Sequence, residues 1–159
     1  MTSGLSISFL KTELINDVKR AVKAEVTRTA KKVLMDAVNK QIYSSQGGSE
    51  YIRTGDFLNA VRIKDYNESS TMVTFTVWVD GSLLRPVKTN GMWNQHMDMK
   101  GNPFNEQLVM VMNDGAGANH IYQQPAHYFY EEAEENMDEK ILHALVRGLT
   151  SRGWSVSYT

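Results

Sequence analysis

From Phe9 to Tyr43 the chain runs without a glycine or a proline, and no other stretch limits the possible fold as much. Leu14, Val18, Val22, Val26, Ala30, Val33 and Ala37 recur there at steps of four, with a single step of three. That spacing lines one side of a helix and cannot serve a strand, whose faces alternate every second residue. At 1.5 Å per residue a continuous helix here is about 50 Å long, so the rest of a small domain has to be built along it. Arg20, Lys23, Lys31 and Lys40 fall opposite the apolar stripe and give a basic outer face. A solvated helix face and a partner-binding face both have that character.

With 159 residues the chain matches the usual size of one domain, spanning 1–159, and can bury a core without covalent staples. The absence of cysteine excludes disulfide scaffolds, thiolate zinc sites and cysteine nucleophiles. A net charge of -1 gives no global attraction to nucleic acid or to an anionic membrane. The opening "MTSGLSISFL" lacks the basic and long apolar regions of a signal, and no apolar run is long enough to span a bilayer.

After the helix, "SSQGGSE" (44–50) reads as a loop, and "YIRTGDFLNA" (51–60) packs an arginine, a hydroxyl, a glycine and a carboxylate ahead of apolar residues. Thr54 suits a helix N-cap, Gly55 a tight turn, and Asp56 the positive end of a short helix whose apolar face is Phe57, Leu58 and Val61. Arg53 stands just outside, placed to pair with a carboxylate. "VRIKDY" and "TMVTFTVWV" alternate in the manner of an antiparallel hairpin, with Val73, Phe75, Val77 and Val79 on one side of its second strand. Residues 81–105 show neither period and predict a long irregular excursion carrying Met92, Trp93, Met97 and Met99, residue types that adapt to a partner surface. "EQLVMVMN" (106–113) alternates and predicts a third strand. Phe129, Ala133, Met137, Ile141, Leu145 and Leu149 then step by four along a helix closed by Gly148, and "WSVSY" (154–158) predicts a last edge strand. The fold class expected is α+β, with the long N-terminal helix and the C-terminal helix packed on a small, mainly antiparallel sheet.

The two helices carry opposite charge. Lys11 to Lys40 holds eight basic residues against four acids, whereas Glu131 to Arg147 holds six acids against two bases. Such faces meet either within one subunit or between neighbours, and the expectation favours neighbours. Enzymatic chemistry finds little footing. His96, Asp98 and His120 sit in loops without a strong ligand spacing, "DGAG" is a lone turn-like glycine pair, and no nucleophile elbow appears. The expectation is no enzyme, no cofactor and no metal. The tryptophans and tyrosines lack an interleaved basic strip and read as core or interface aromatics.

Taken in order, the charged N-terminal helix, the Gly/Ser break, "RTGDFLNAV", the hairpin, a histidine-bearing loop, "YFYEEAEE" and "RGWSV" resemble the neck and tail-completion proteins of tailed bacteriophages. Arg53, Thr54, Gly55, Leu58 and Val61 carry the most specific part of the likeness. "HYFYEEAEE" is similar to the family's aromatic-led acidic helix, although Pro125 stands four residues before Phe129 and no arginine precedes it. The resemblance implies a non-enzymatic virion protein, made in the host cytoplasm, that joins the tail to the head connector. It implies a homo-oligomeric ring, on the order of six copies, against head-closure, tail-terminator or tail-tube proteins. DNA would pass through such an assembly without sequence-specific recognition, and no membrane is involved. Subunit or ring contacts would then fall to Arg20, Lys23, Lys31, Met92, Trp93, Met97, Met99, Glu131 and Glu135. A tail-terminator ring capping the tail tube is the nearest alternative, and a metal-dependent hydrolase using His96, Asp98 and His120 a remote one.

Overall fold

The structure is a computed structural model, and it describes residues 7–44, 55–84, 105–115 and 126–157. Its architecture is α+β, rich in helix with one small antiparallel two-stranded sheet. The long helix is present, but not as one regular α-helix. It runs as α1 (Ile7–Ala21), a π-helical stretch Val22–Val26, α2 (Thr27–Val38) and a second π-helical stretch Asn39–Ser44. After the break come α3 (Asp56–Asn59), β1 (Val61–Glu68), β2 (Val73–Val79), a 3₁₀ turn Gly81–Leu83, α4 (Asn105–Asp114), α5 (Phe129–Glu135) and α6 (Met137–Thr150).

The first π segment changes which stripe of the helix is buried. Among residues 11–22 the buried ones are Asp17 and Ala21, while Leu14 is exposed and Val18 and Val22 only half-buried. The next buried position is Val26, five residues on, followed by Ala30, Val33, Leu34, Ala37, Val38 and Ile42. A step of five is what an i→i+5 turn inserts, and the Thr27 N–H bonded to the Val22 carbonyl is such a bond. The Thr27 hydroxyl also donates to the Lys23 carbonyl at 2.8 Å, a local bond that side chains of this kind offer within helices.

The chain forms two compact units, one of Met1–Val33, Ile63–Val77 and Asn136–Thr159, the other of Leu34–Arg62 and Trp78–Glu135. In the first, α6 packs against α1 and the Val22–Val26 stretch through small residues: Ala21 and Ala144 are fully buried and Gly148 lies against Ala21. Gly148 therefore does not end the helix, as its position in the sequence suggests; it lets two helices approach. The stop comes at Gly153, with φ +90°, where the Gly153 N–H donates to the Thr150 carbonyl and the Trp154 N–H to the Leu149 carbonyl. Those two bonds form a Schellman cap around a left-handed glycine. Beyond it, Trp154 donates its indole N–H to Asp17 at 3.0 Å, and residues 154–157 form no strand, contrary to the edge strand expected there.

The hairpin forms as expected, closed by the Ser69 N–H bonded to the Met72 carbonyl at 2.8 Å. Its inward-facing pattern slips by one residue, from Val61 and Ile63 to Tyr66, and the slip coincides with Asp65 at φ +51°. A non-glycine residue in that region is uncommon, and aspartate tolerates it better than most.

In the second unit the core is Leu34, Ala37, Val38, Ile42, Phe57, Ala60, Val61, Val79, Leu84, Val109, Met112, Phe129 and Ala133. Residues 106–113, expected as a strand, belong to α4, which packs against the Gly81–Leu83 turn. Leu, Met, Glu and Gln favour helix over strand, and Val109, Met112 and Asn113 are spaced to share one helical side while Met110 is 65% exposed. The helix expected from Phe129 to Leu149 is divided into α5 and α6 at Asn136. Of the irregular excursion at 81–105, the 3₁₀ turn, buried Leu84 and Asn105 are described, and residues 85–104 lie outside the described residues.

Candidate interaction surfaces and the motif core

The two motifs that carry the sequence resemblance come together in the second unit. Gly55, at φ +74°, occupies the position before the first residue of α3, and the Asn59 N–H bonds back to its carbonyl at 3.1 Å. The turn expected at this glycine is therefore present, but the N-cap expected at Thr54 falls to Gly55, with no side-chain cap; Arg53 and Thr54 themselves lie outside the described residues. Phe57 and Val61 are buried, Leu58 is half-buried, and Asp56 is 5% exposed. Phe57 meets Phe129 edge-on, with ring centroids 6.4 Å apart and planes at 74°. Phe129 in turn lies 4.7 Å from the Tyr130 ring.

Hydrogen bonds fix the start of α5. Asn113, buried at the end of α4, accepts the Tyr130 N–H on its side-chain oxygen at 3.0 Å and the His127 and Tyr128 N–H groups on its backbone carbonyl. Its amide nitrogen donates to Asp114 at 2.6 Å and to Glu131 at 3.2 Å. The chain enters α5 through Tyr128 at φ +48°. His127, also buried, lies with Nδ1 2.7 Å from the Gln41 carbonyl; a carbonyl only accepts, so Nδ1 carries the proton. Across the same unit, Lys40 and Glu132 form an ion pair at 2.7 Å. For this pair the opposite charges of the two helical segments meet within the chain.

Tyr130 ties α5 to the sheet, its hydroxyl oxygen accepting the Val79 N–H at 3.0 Å. Burial raises its pKa above 10.0, and the bond from Val79 offsets part of the rise. The folded state thus holds this proton more tightly than the unfolded chain. Its stabilising contribution is complete below pH 10.0 and is lost as the pH climbs through the higher folded value. Tyr130→Phe is expected to cost about 1–2 kcal/mol at neutral pH, because the Val79 N–H loses its acceptor. The variant should also lose less stability above pH 10.0 than the wild type, read from denaturant unfolding at neutral and alkaline pH. Some alkaline loss will persist, since Tyr66 too has a raised pKa, from burial first and then from Glu68. Equal alkaline slopes in the two proteins would refute the assignment to Tyr130.

A charged surface lies in the first unit. Asn16, Lys19, Arg20, Lys23 and Glu68 line an open depression of about 370 Å³. The Lys23 ammonium sits 5.9 Å from the centre of the Tyr66 ring, at the outer limit of a cation–π contact, and the Tyr66 hydroxyl donates to Glu68 at 2.9 Å. Arg20 pairs with Asp17 at 3.3 Å, while Asp17 also receives the Trp154 indole. Arg20 and Lys23 are exposed as expected of the basic face, whereas Lys31 is half-buried. Glu131 and Glu135 are exposed on α5.

Met92, Trp93, Met97 and Met99 lie outside the described residues, as do His96, Asp98 and His120. Among the described residues no three His, Cys, Asp or Glu side chains are gathered to hold a metal ion. No helix among them is long and apolar enough to cross a membrane. Sequence reasoning overlooked Asn113, Asp17 and Tyr66; Asn113 ends a run that alternates like a strand, which conceals its place as a link between two helices. Comparison with protein-family models, with curated proteins and with solved structures finds no match.

Proposed function

We propose that the protein is a structural component of a tailed-bacteriophage virion, a neck or tail-completion protein that works in several copies to join the tail to the head connector. The observation that carries this reading is the edge-on contact of Phe57 with Phe129, which unites "GDFLNAV" and "HYFYEEAEE" in one core. These segments lie far apart in the sequence and are the ones that resemble the family. Their residues act here as folding determinants: a left-handed glycine, a buried aromatic pair and a capped helix entrance. A protein of this kind binds by shape and charge, and its work is to hold neighbours in register.

Native mass spectrometry over a concentration series, paired with add-back of the protein to separately purified heads and tails, tests the proposal. The expected outcome is a metal-free oligomer that restores joining. Capping of isolated tail tubes without joining would move the protein to the tail-terminator class, and stoichiometric metal with no effect on heads or tails would overturn the structural reading. Removing Met92 to Met99 is expected to leave far-ultraviolet circular dichroism and the melting temperature nearly unchanged while abolishing joining. Full joining by that variant would exclude the excursion as the docking element.

A further inference from the structure

We propose that the basic depression on the N-terminal helix receives the acidic outer side of α5 from a second copy of this chain, with Lys19 and Lys23 facing Glu131 and Glu135. This contact rests on the multi-copy reading above and names the surfaces that would build it. The cations of the depression come from a single helical stretch. Lys19 and Lys23 stand one turn apart, with Arg20 beside them and one carboxylate, Glu68, on the rim. Glu131 and Glu135 stand one turn apart on α5, and both are exposed. Residues four apart lie over one another along a helix, so the two pairs can meet as a ladder.

The bonds already made leave room for this contact. Tyr66 turns Glu68 toward itself, so the carboxylate of the rim is engaged along one edge. Asn113 donates to Glu131, but an ionised carboxylate accepts several bonds and can take an ammonium as well. Among the described residues, Glu132 of α5 pairs with Lys40 rather than with the cations of the depression. The net charge of -1 matters too: there is no overall field to draw in a strongly charged partner, whereas local patches of opposite sign on identical chains attract at close range. Both patches are carried by every copy, so each subunit offers one acidic and one basic half of the joint.

The test uses two full-length variants, Lys19→Glu with Lys23→Glu and Glu131→Lys with Glu135→Lys. Self-association is followed by native mass spectrometry at low and high salt, and thermal unfolding checks that each variant folds. Each variant alone should associate at least about tenfold more weakly than the wild type, because like charges now face one another. An equal mixture of the two should regain association, since each now carries the charge that the other's reversed patch needs. A misfolded protein would not be rescued in this way. Lys19→Gln with Lys23→Gln, a milder change, should weaken association less. Salt near 1 M, where the screening length is about 3 Å, should weaken the wild type. Unaltered association of the reversed variants, a mixture that fails to recover, or a wild type that stays monomeric would each overturn the contact. Head–tail joining is scored separately. Joining without this association would sink the contact and leave the neck assignment standing; association without joining would do the opposite.

Discussion

Phe129→Ala is expected to lower stability by about 3–5 kcal/mol, the usual cost of emptying a large aromatic site in a packed core. Phe129 is fully buried, and it touches both Phe57 of the turn motif and the Tyr130 ring. Its loss would leave a cavity between α3 and α5 and deprive Phe57 of its edge-on partner. That partner contact adds to the area term, since an aromatic pair is worth about 0.5–1.5 kcal/mol beyond burial. Phe129→Leu keeps much of the volume and should cost clearly less. The two values come from urea unfolding at neutral pH. A loss under about 1 kcal/mol for the alanine variant would mean that the site collapses without penalty and that the two motifs do not share a core. If the neck assignment is right, the same variant should fail in head–tail joining only to the extent that it unfolds, because Phe129 is buried and does not face a partner.

The elements that could be read in the sequence are those whose signal is local and long. The Phe9–Tyr43 stretch had no helix breaker, and the strands had clean alternation on a β-branched and aromatic background, so helix and hairpin both appear. Residues 106–113 were ambiguous because a short apolar run fits either period. The deciding fact is propensity, with leucine, methionine, glutamate and glutamine outweighing two valines. The π-helical stretches could not be read at all. The first of them shows itself in the burial of Ala21 and Val26 five residues apart and in the Thr27 N–H bonded to the Val22 carbonyl. The motif turn was legible as a turn through Gly55, but its partnership with Phe129 needed the fold. Asn113 was illegible for the same reason: its importance comes from the five backbone and side-chain groups that converge on it, four of them from residues 127–131.

Gly148 shows how far a single glycine can depart from its sequence reading, and it gives a prediction whose sign reverses with background. In an ordinary helix interior, Gly→Ala stabilises by about 1 kcal/mol, since alanine loses less backbone entropy. At position 148 an added Cβ would lie 2.8 Å from the Cβ of Ala21, 3.1 Å from a Glu25 carboxylate oxygen and 3.4 Å from the Ala21 Cα. Ala21 is fully buried and its Cβ is fixed to the backbone, so α6 would have to move away from the N-terminal helix. Overpacking of that kind costs about 1–3 kcal/mol, which outweighs the propensity gain. Gly148→Ala is therefore expected to destabilise the wild type, and Gly148→Val to do so more strongly. Moving α6 would also strain the Arg152–Glu25 pair, which joins the end of α6 to the N-terminal helix. Ala21→Gly removes the atom that is struck. In that background the remaining close neighbour is the end of a flexible glutamate, and Gly148→Ala should turn neutral or stabilising. A double-mutant cycle measured by chemical denaturation isolates the coupling. The same destabilisation in both backgrounds would place the clash elsewhere, and a stabilised Gly148→Ala in the wild type would mean that the two helices are not held this closely in solution.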